Sequence, residues 1–350
     1  MKIIHHLIIS CLPLFSFGQL TLGGNNPQDL VLQTLSGSGV TISDIIYVGS
    51  SEAISYFSAN TQNMPFHSGF LMTTGYRNLA VGPNNDPRAG IDNGYPGSTI
   101  MNSYIGGESH NAAILSFDLI PSGDSLKIKY IFGSDEYPEY VGAQYCDAFA
   151  IFVQGPGING TINIATVPNQ SIVSINTVNG GNPGGTGSGI NASPPVNLSY
   201  FINNGDGSQS PYNSSAGYVQ YDGLTKPLIA KTKVTPNQSY HVMMIIIDAV
   251  DGIYDSGVFI EEGGITASVS ENNLSNFVNV FYSASNQQAT IQITDYQENL
   301  TYSIVDLSGK IMTQSKISET TSIDLSNYSS GMYLIQVEGA NGKMTKKVIR

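Results

Sequence analysis

Apolar residues along this chain recur in short runs and almost never at helical spacing. The runs VTISDIIYVG (40–49), AILSFDLI (113–120), SLKIKYIF (125–132), DAFAIFV (147–153), SIVSIN (171–176) and HVMMIII (241–247) are rich in Val, Ile, Phe and Tyr. Turn segments such as PSGD, GPGING, NGGNPGG and DGLTKP separate them. Several runs alternate, with Leu126, Ile128 and Tyr130 set against Ser125, Lys127 and Lys129. Branched and aromatic side chains suit a pleated, half-buried surface, and Gly and Pro close the turns between strands. The pattern predicts an all-β protein whose main part is an antiparallel, jelly-roll-like β-sandwich. One segment departs from it. In PQDLVLQTLSG (27–37), Leu30, Val31 and Leu35 approximate a helical face, Pro27 and Asp29 suit a first turn, and Gly37 suits an end. Residues 179–217 are dominated by Gly, Asn, Ser and Pro and are too long for a strand connection, so they read as a functional surface loop or as a disordered segment.

The ends of the chain add targeting. MKIIHHLIISCLPLFSFGQL pairs a basic start with an apolar run and the small-x-small site Ser16-Phe17-Gly18, which predicts a secretory signal peptide over 1–18. The run falls short of the roughly 20 apolar residues that span a bilayer. Ile8-Ile9-Ser10-Cys11 also resembles a lipoprotein box, although Cys11 lies early and more apolar sequence follows. No later segment is apolar enough to cross a membrane, so the expected mature chain has no transmembrane segment. It keeps one cysteine, Cys146, and cannot be stapled by an internal disulfide. Texture changes around GGITASVSENNLSN (263–276). This predicts a domain over 20–264, a linker over 265–276 and a second domain over 277–350. Between 20 and 274 lie 7 basic and 20 acidic residues, whereas 275–350 is balanced at six and six. Such a main domain repels phosphates and anionic lipid and favours cations, which argues against nucleic-acid binding.

Several motifs then occur in one order: GVTISDIIYVG, KYIFGSDEYPEYVG (129–142), CDAFAIFVQGPG (146–157), VSINTVN (173–179), YDGLT (221–225) and IDAVDGIYDSGVFIEEG (247–263). Over roughly 28–264 the chain resembles the choice-of-anchor L domain of bacterial secreted proteins. That resemblance implies location more than activity. The tail motifs YSIVDLSGKIM (302–312), TTSIDLSNYSSGMYLIQVEG (320–339) and MTKKVIR (344–350) resemble the C-terminal sorting domain of the Bacteroidota type IX secretion system. The tail departs from that family where FYSAS (281–285) replaces the usual Y-P-N-P, which puts the first strand's turn in doubt. The resemblance implies handling by the type IX machinery through 277–350, removal of this domain, and attachment to the outer-membrane surface or release.

The candidate chemistry is carboxylate chemistry. Asp248, Asp251 and Asp255 share the loop IDAVDGIYDSG, and Asp135, Glu136 and Asp147 form a second cluster. Asp135 and Glu136 would face opposite sides of a strand but converge on a turn, which Gly133 and Pro138 favour. These six are expected to meet at one edge of the sandwich and hold Ca²⁺, a hard cation that takes six to eight oxygens. The competing reading is of solvated turn residues whose Asp side chains cap their own backbone. Glu261 and Glu262 read as surface charge. A carboxylate-dependent glycosidase, pairing Asp135 or Glu136 with Asp248, Asp251 or Asp255, is the enzymatic alternative. There is no G-x-S-x-G, H-E-x-x-H or phosphate-binding glycine motif. His241 reads as a packed strand residue and Cys146 as a small buried apolar side chain. Tyr137 and Tyr140, flanking Pro138, are candidate stacking residues for a glycan or surface-protein ligand, with Tyr212, Tyr218 and Tyr221 near the long loop. The expectation is an exported, non-enzymatic adhesion or binding protein. A structural surface-layer component is a further alternative.

Overall fold

The computed structural model describes residues 20–59, 64–185, 190–205, 219–268, 278–294, 300–339 and 342–350. The expected signal peptide and Cys11 lie outside these residues, as do Tyr212, Tyr218 and most of the expected linker. The chain divides into two compact units, residues 1–269 and 270–350.

Seven strands carry the first unit: β1 (Val40–Val48), β2 (Ser68–Thr73), β3 (Ser109–Pro121), β4 (Ser125–Ser134), β5 (Ala148–Gln154), β6 (Tyr240–Ala249) and β7 (Ser256–Ser268). In one sheet β7 lies between β2 and β4, and strands Leu20–Leu22, Ile54–Ala59, Phe201–Asn203, Gly223–Thr225 and Leu228–Lys233 extend it to eight. In the other, β1, β3, β6 and β5 lie in that order, with Thr161–Asn163 and Val173–Ser174 paired to β5, making six. Every strand pair is antiparallel. The fold is an all-β sandwich, larger than a simple eight-stranded jelly roll.

Alternate positions fill the space between the sheets. Leu126, Ile128, Tyr130 and Phe132 of β4 meet Leu115 and Phe117 of β3, Phe149 and Ile151 of β5, and Val242, Met244 and Ile246 of β6. The intervening Lys127 and Lys129 are exposed, as the alternation predicts. In β5 and β6 the outer face is buried too. Ala148, Ala150, Phe152, Ile245 and Ile247 lie under Met101 of the short helix α1 (Thr99–Ile105). A strand covered on both faces reads as an unbroken apolar run, which is why HVMMIII and DAFAIFV show no alternation. Residues 27–35 are helical as expected: one turn (Pro27–Asp29) opens into a π-helical segment (Leu30–Leu35). Leu30, Val31 and Leu35 are buried while Leu32 is exposed.

Two expectations need correction. β7 runs to Ser268 with Ile265 and Ala267 buried, so 265–268 is strand and not linker. His241 is exposed and hydrogen-bonded to Asp118 Oδ1 at 2.8 Å, not packed, because its side of β6 at that position faces water. Within the described part of the long loop, Asn179 pairs with Val196 and Asn182 with Ser193 in isolated antiparallel bridges.

The second unit is a small sandwich. Strands Val278–Ser283, Gln288–Ile293 and Thr321–Asp324 form one sheet, and Leu300–Asp306, Ile311–Ile317, Met332–Gly339 and Gly342–Ile349 form the other. The first strand persists through FYS and turns at 284–287, so the departure at 281–285 leaves it intact. In the D-x-S-G turn, Asp306 Oδ1 accepts from the amides of Ser308 (2.8 Å) and Lys310 (3.0 Å) and from Ser308 Oγ (2.6 Å).

Candidate functional site

Strand register brings the acidic residues together. Ser134 at the end of β4 pairs with Ser256 at the start of β7, so Asp135 and Asp255 flank that pair. In the other sheet Ile247 of β6 pairs with Ala148 of β5, which places Asp248 beside Asp147. Both pairs lie at the same end of the sandwich, and Ser256 Oγ joins the sheets by donating to Asp147 Oδ2 at 2.7 Å. A β-bulge between Ile246 and Asp248 shifts the pairing of β6 with β3 there, the kind of irregularity that re-aims a side chain.

The cluster is buried. Asp135, Glu136, Asp147, Asp248 and Asp255 are 1–3% exposed, and Asp222 is fully buried. Asp135 and Glu136 turn inward on the tight turn that follows β4. Glu136 Oε2 accepts from the Asp147 amide (3.2 Å), and Asp147 Oδ1 from the Ala249 amide (2.9 Å). Asp255 Oδ1 accepts from the Ile91 amide (3.0 Å), and Asp248 Oδ2 from Asn111 Nδ2 (2.9 Å). Gly75 packs so closely on Asp255 that a β-carbon there would collide with the carboxylate. Both oxygens of Asp135, one each of Asp248 and Asp255, and the amide oxygen of Asn111 have no hydrogen bond of ordinary geometry, although the Asp222 amide approaches Asp135 and the side chains of Thr74 and Asp147 approach Asp248. The Asp222 amide points at Asp135 and favours its anion, against the larger effects of burial and of the neighbouring carboxylates.

None of the ion pairs among the described residues involves Asp135, Glu136, Asp147, Asp248 or Asp255. Burial and mutual repulsion therefore outweigh the hydrogen bonds that favour the anions. Burial raises Asp147 to about 7 and, with the Asp147 charge, Asp255 to about 8. It pushes Asp135, Glu136 and Asp248 well above the usual carboxylate range, with neighbouring carboxylates adding to each. A hydrogen bond from Asp248 favours the Asp147 anion, so these two can share a proton.

Asp251 differs from the other five. It is half-buried and its Oδ1 receives only a long bond from the Ile253 amide (3.4 Å). Among the described residues no three His, Cys, Asp or Glu side chains are grouped so that they could hold a metal ion as they stand. The fit to a cation rests instead on the mixed donors a hard ion accepts, carboxylate and amide oxygens that are buried and have no hydrogen bond of ordinary geometry.

The tyrosines divide. Tyr137 is 0% exposed, donates to the Val178 carbonyl at 2.6 Å and packs its ring at a tilt against Phe201, so it is a core residue and cannot meet a ligand. Tyr221 is likewise buried, bonded to Thr73 Oγ1 at 3.0 Å. Tyr140 is half-exposed and packs against Tyr145 and Tyr254 with centroids 5.3 and 5.1 Å away. Cys146 is half-buried and its thiol is pushed up to about 11 by burial, which leaves it unreactive at neutral pH. Glu261 and Glu262 are surface charge, Glu261 pairing with Lys129 at 2.8 Å.

Sequence reasoning missed Asp222 and Asn111. Asp222 had a signal, an acid set between Tyr221 and Gly223 just before a strand. Asn111 had none, because its left-handed φ of 52° and its inward amide depend on the fold.

No curated protein matches the chain. Among solved structures, it is similar to a DUF3244 family protein with an immunoglobulin-like β-sandwich from Bacteroides vulgatus (19% identity, 22% of this chain and 86% of that one, TM-score 0.20). It is also similar to a β-glucuronidase from Ruminococcus gnavus (11% identity, 68% of this chain and 35% of that one, TM-score 0.20). A complex of the glucuronidase with D-glucuronic acid gives 9% identity over 91% of this chain and 47% of that one (TM-score 0.21). This chain spans less than half the length of the glucuronidase, and superpositions so poor carry no argument about activity. Among the described residues no helix is long and apolar enough to cross a membrane. Residues 280–350 match the secretion system C-terminal sorting domain, so the type IX machinery handles the chain and exports it to the cell surface or the extracellular space. The choice-of-anchor L domain matches residues 21–266, and with that match covering most of its length, this chain belongs to the choice-of-anchor L family.

Proposed function

We propose that the first unit is a non-catalytic extracellular binding or adhesion domain whose loop end is made rigid by Ca²⁺. The ion is taken up between the Asp135–Asp255 and Asp147–Asp248 pairs. The observation that carries this reading is the set of oxygens on Asp135, Asp248, Asp255 and Asn111 without a hydrogen bond of ordinary geometry, all inside the protein. Removing ionised carboxylates from water costs several kcal/mol each. Only protons or a cation can neutralise them here. Burial pushes Asp135, Asp147 and Asp248 alike toward holding a proton, and a cation would take the place of those protons. Outside the cell, Ca²⁺ is abundant enough to fill sites as weak as about 10⁻³ M.

The glycosidase alternative requires two carboxylates facing a cleft open to substrate, about 5–10 Å apart. Asp135, Glu136, Asp248 and Asp255 are sealed from solvent, and the cavities beside Tyr56 and Tyr104 are lined by none of them. That burial supports a non-catalytic role.

The test is thermal unfolding of the full chain in millimolar Ca²⁺ and in excess chelator. Ligand at about 100 times Kd adds roughly 2.7 kcal/mol. For a unit of this size that raises the midpoint by about 5–10 °C. An unchanged midpoint would sink the calcium reading and leave protons as the neutralising species.

A further inference from the structure

We propose that an uncharged groove between α1 and the hairpin 166–172 binds the ring face of a neutral oligosaccharide, with Tyr104 as its stacking platform. The proposal rests on the binding-domain reading and gives it a place and a ligand class.

Two adjoining cavities of about 730 and 280 Å³ share Tyr104, Ile172 and Thr177. Ligand pockets commonly span about 300–1,000 Å³. No Asp, Glu, Lys, Arg or His lines either cavity. That is unexpected in a region with 20 acidic and 7 basic residues between 20 and 274. Whatever fits here is recognised without charge, and a polyanion would be repelled by the surrounding domain.

The walls are fixed. Tyr104 is 47% exposed, and its ring rests on Phe152 with centroids 5.3 Å apart and planes at 58°. One side of the ring is thus held by the core while the rest faces the groove. Ser98 caps α1 by accepting from the Met101 amide (3.4 Å), and Gly106 ends it at φ 72°. Opposite, Thr166 bridges Ile172, and the Val167 amide donates to the Ser171 carbonyl at 3.0 Å. The floor is rigid because Asn163 Oδ1 accepts from the amides of Ile151 (3.1 Å) and Ala165 (3.0 Å). The side chains of Thr166, Gln170 and Ser171 make no hydrogen bond among the described residues, so hydroxyl and amide groups remain for a ligand.

A held aromatic ring beside neutral donors and acceptors matches a pyranose, which has an apolar C–H face and a rim of hydroxyls. A nucleotide would also stack but carries phosphate into an acidic domain.

The test is calorimetric titration of the full chain in Ca²⁺ with neutral hexaoses (cello-, laminari-, xylo- and mannohexaose) and with an oligogalacturonate as the charged control. At least one neutral hexaose is expected to bind. Tyr104→Ala should weaken it tenfold or more, Tyr104→Phe should retain it, and Gln170→Ala should weaken it a few-fold, all with unchanged unfolding midpoints. Binding that survives Tyr104→Ala, or that prefers the oligogalacturonate, overturns the groove while leaving the binding-domain reading in place. Failure of all the hexaoses also overturns the groove. If the chain then also fails to adhere to protein-coated and polysaccharide-coated surfaces, the broader reading falls with it.

Discussion

Asp135 lies in the fold with neither carboxylate oxygen in a hydrogen bond of ordinary geometry, close to Asp222 and Asp255. Replacing it by the isosteric amide should act in opposite directions in two media. In chelator, Asp135→Asn removes repulsion and desolvation and should stabilise the first unit by about 1–3 kcal/mol, read from denaturant midpoints. In millimolar Ca²⁺ the same change should abolish the ion-dependent gain. The pKa shifts make a second prediction. Asp147 and Asp255 stand at about 7 and about 8 in the fold against 3.8 without it, so the folded chain binds more protons than the unfolded one across that interval. Their contribution is fully present below pH 4 and is lost as pH rises through 7 and 8. Chelated protein should therefore lose about 1.4 kcal/mol per pH unit for each such group. Bound Ca²⁺, which competes with those protons, should flatten the slope. The convergence of these acids was legible in the sequence because they cluster at strand ends, Asp135, Asp147 and Asp255 one residue outside a strand and Asp248 in the last two residues of β6. The fate of Tyr137 was not. A tyrosine flanking Pro138 looks the same whether its hydroxyl reaches water or, as here, the Val178 carbonyl.

Elements were readable where one face met water. The alternation in β4 gave its inward residues directly, since Lys127 and Lys129 alternate with Leu126, Ile128 and Tyr130. The uniform runs of β5 and β6 gave strands without faces, because α1 and the loops around it cover the second side. The helix over 27–35 was legible from its apolar face, but its π-helical winding was not. That face can be tested by a contrasting pair. Leu35→Ala should cost about 2–5 kcal/mol because it leaves a cavity in a fully buried site. Leu32→Ala, at an exposed position on the same segment, should stay within about 0.5 kcal/mol. The end of β7 was misplaced because GGITASVS carries no strong turn residue after its glycines, so the strand's continuation through Ile265 and Ala267 was hidden by the composition around it.

The chain as a whole divides into two compact units, 1–269 and 270–350. The acidic excess lies in the first and the balanced charge in the second, a division the sequence showed before any strand was placed. Calorimetry of the full chain should resolve two transitions, and Ca²⁺ should shift only the one belonging to the first unit. If one cooperative transition moves as a block, the units are coupled in stability. The tyrosine cluster has a further consequence. The chain has 20 tyrosines and no tryptophan, so its ultraviolet emission comes from phenol rings alone. Tyr140 touches both Tyr145 and Tyr254 next to the acidic end, Tyr254 being the immediate neighbour of Asp255. A phenol's emission falls when a nearby carboxylate accepts its excited-state proton. The occupancy of the carboxylates, by ion or by proton, is therefore written into the protein's own luminescence, and no dye is required to read it.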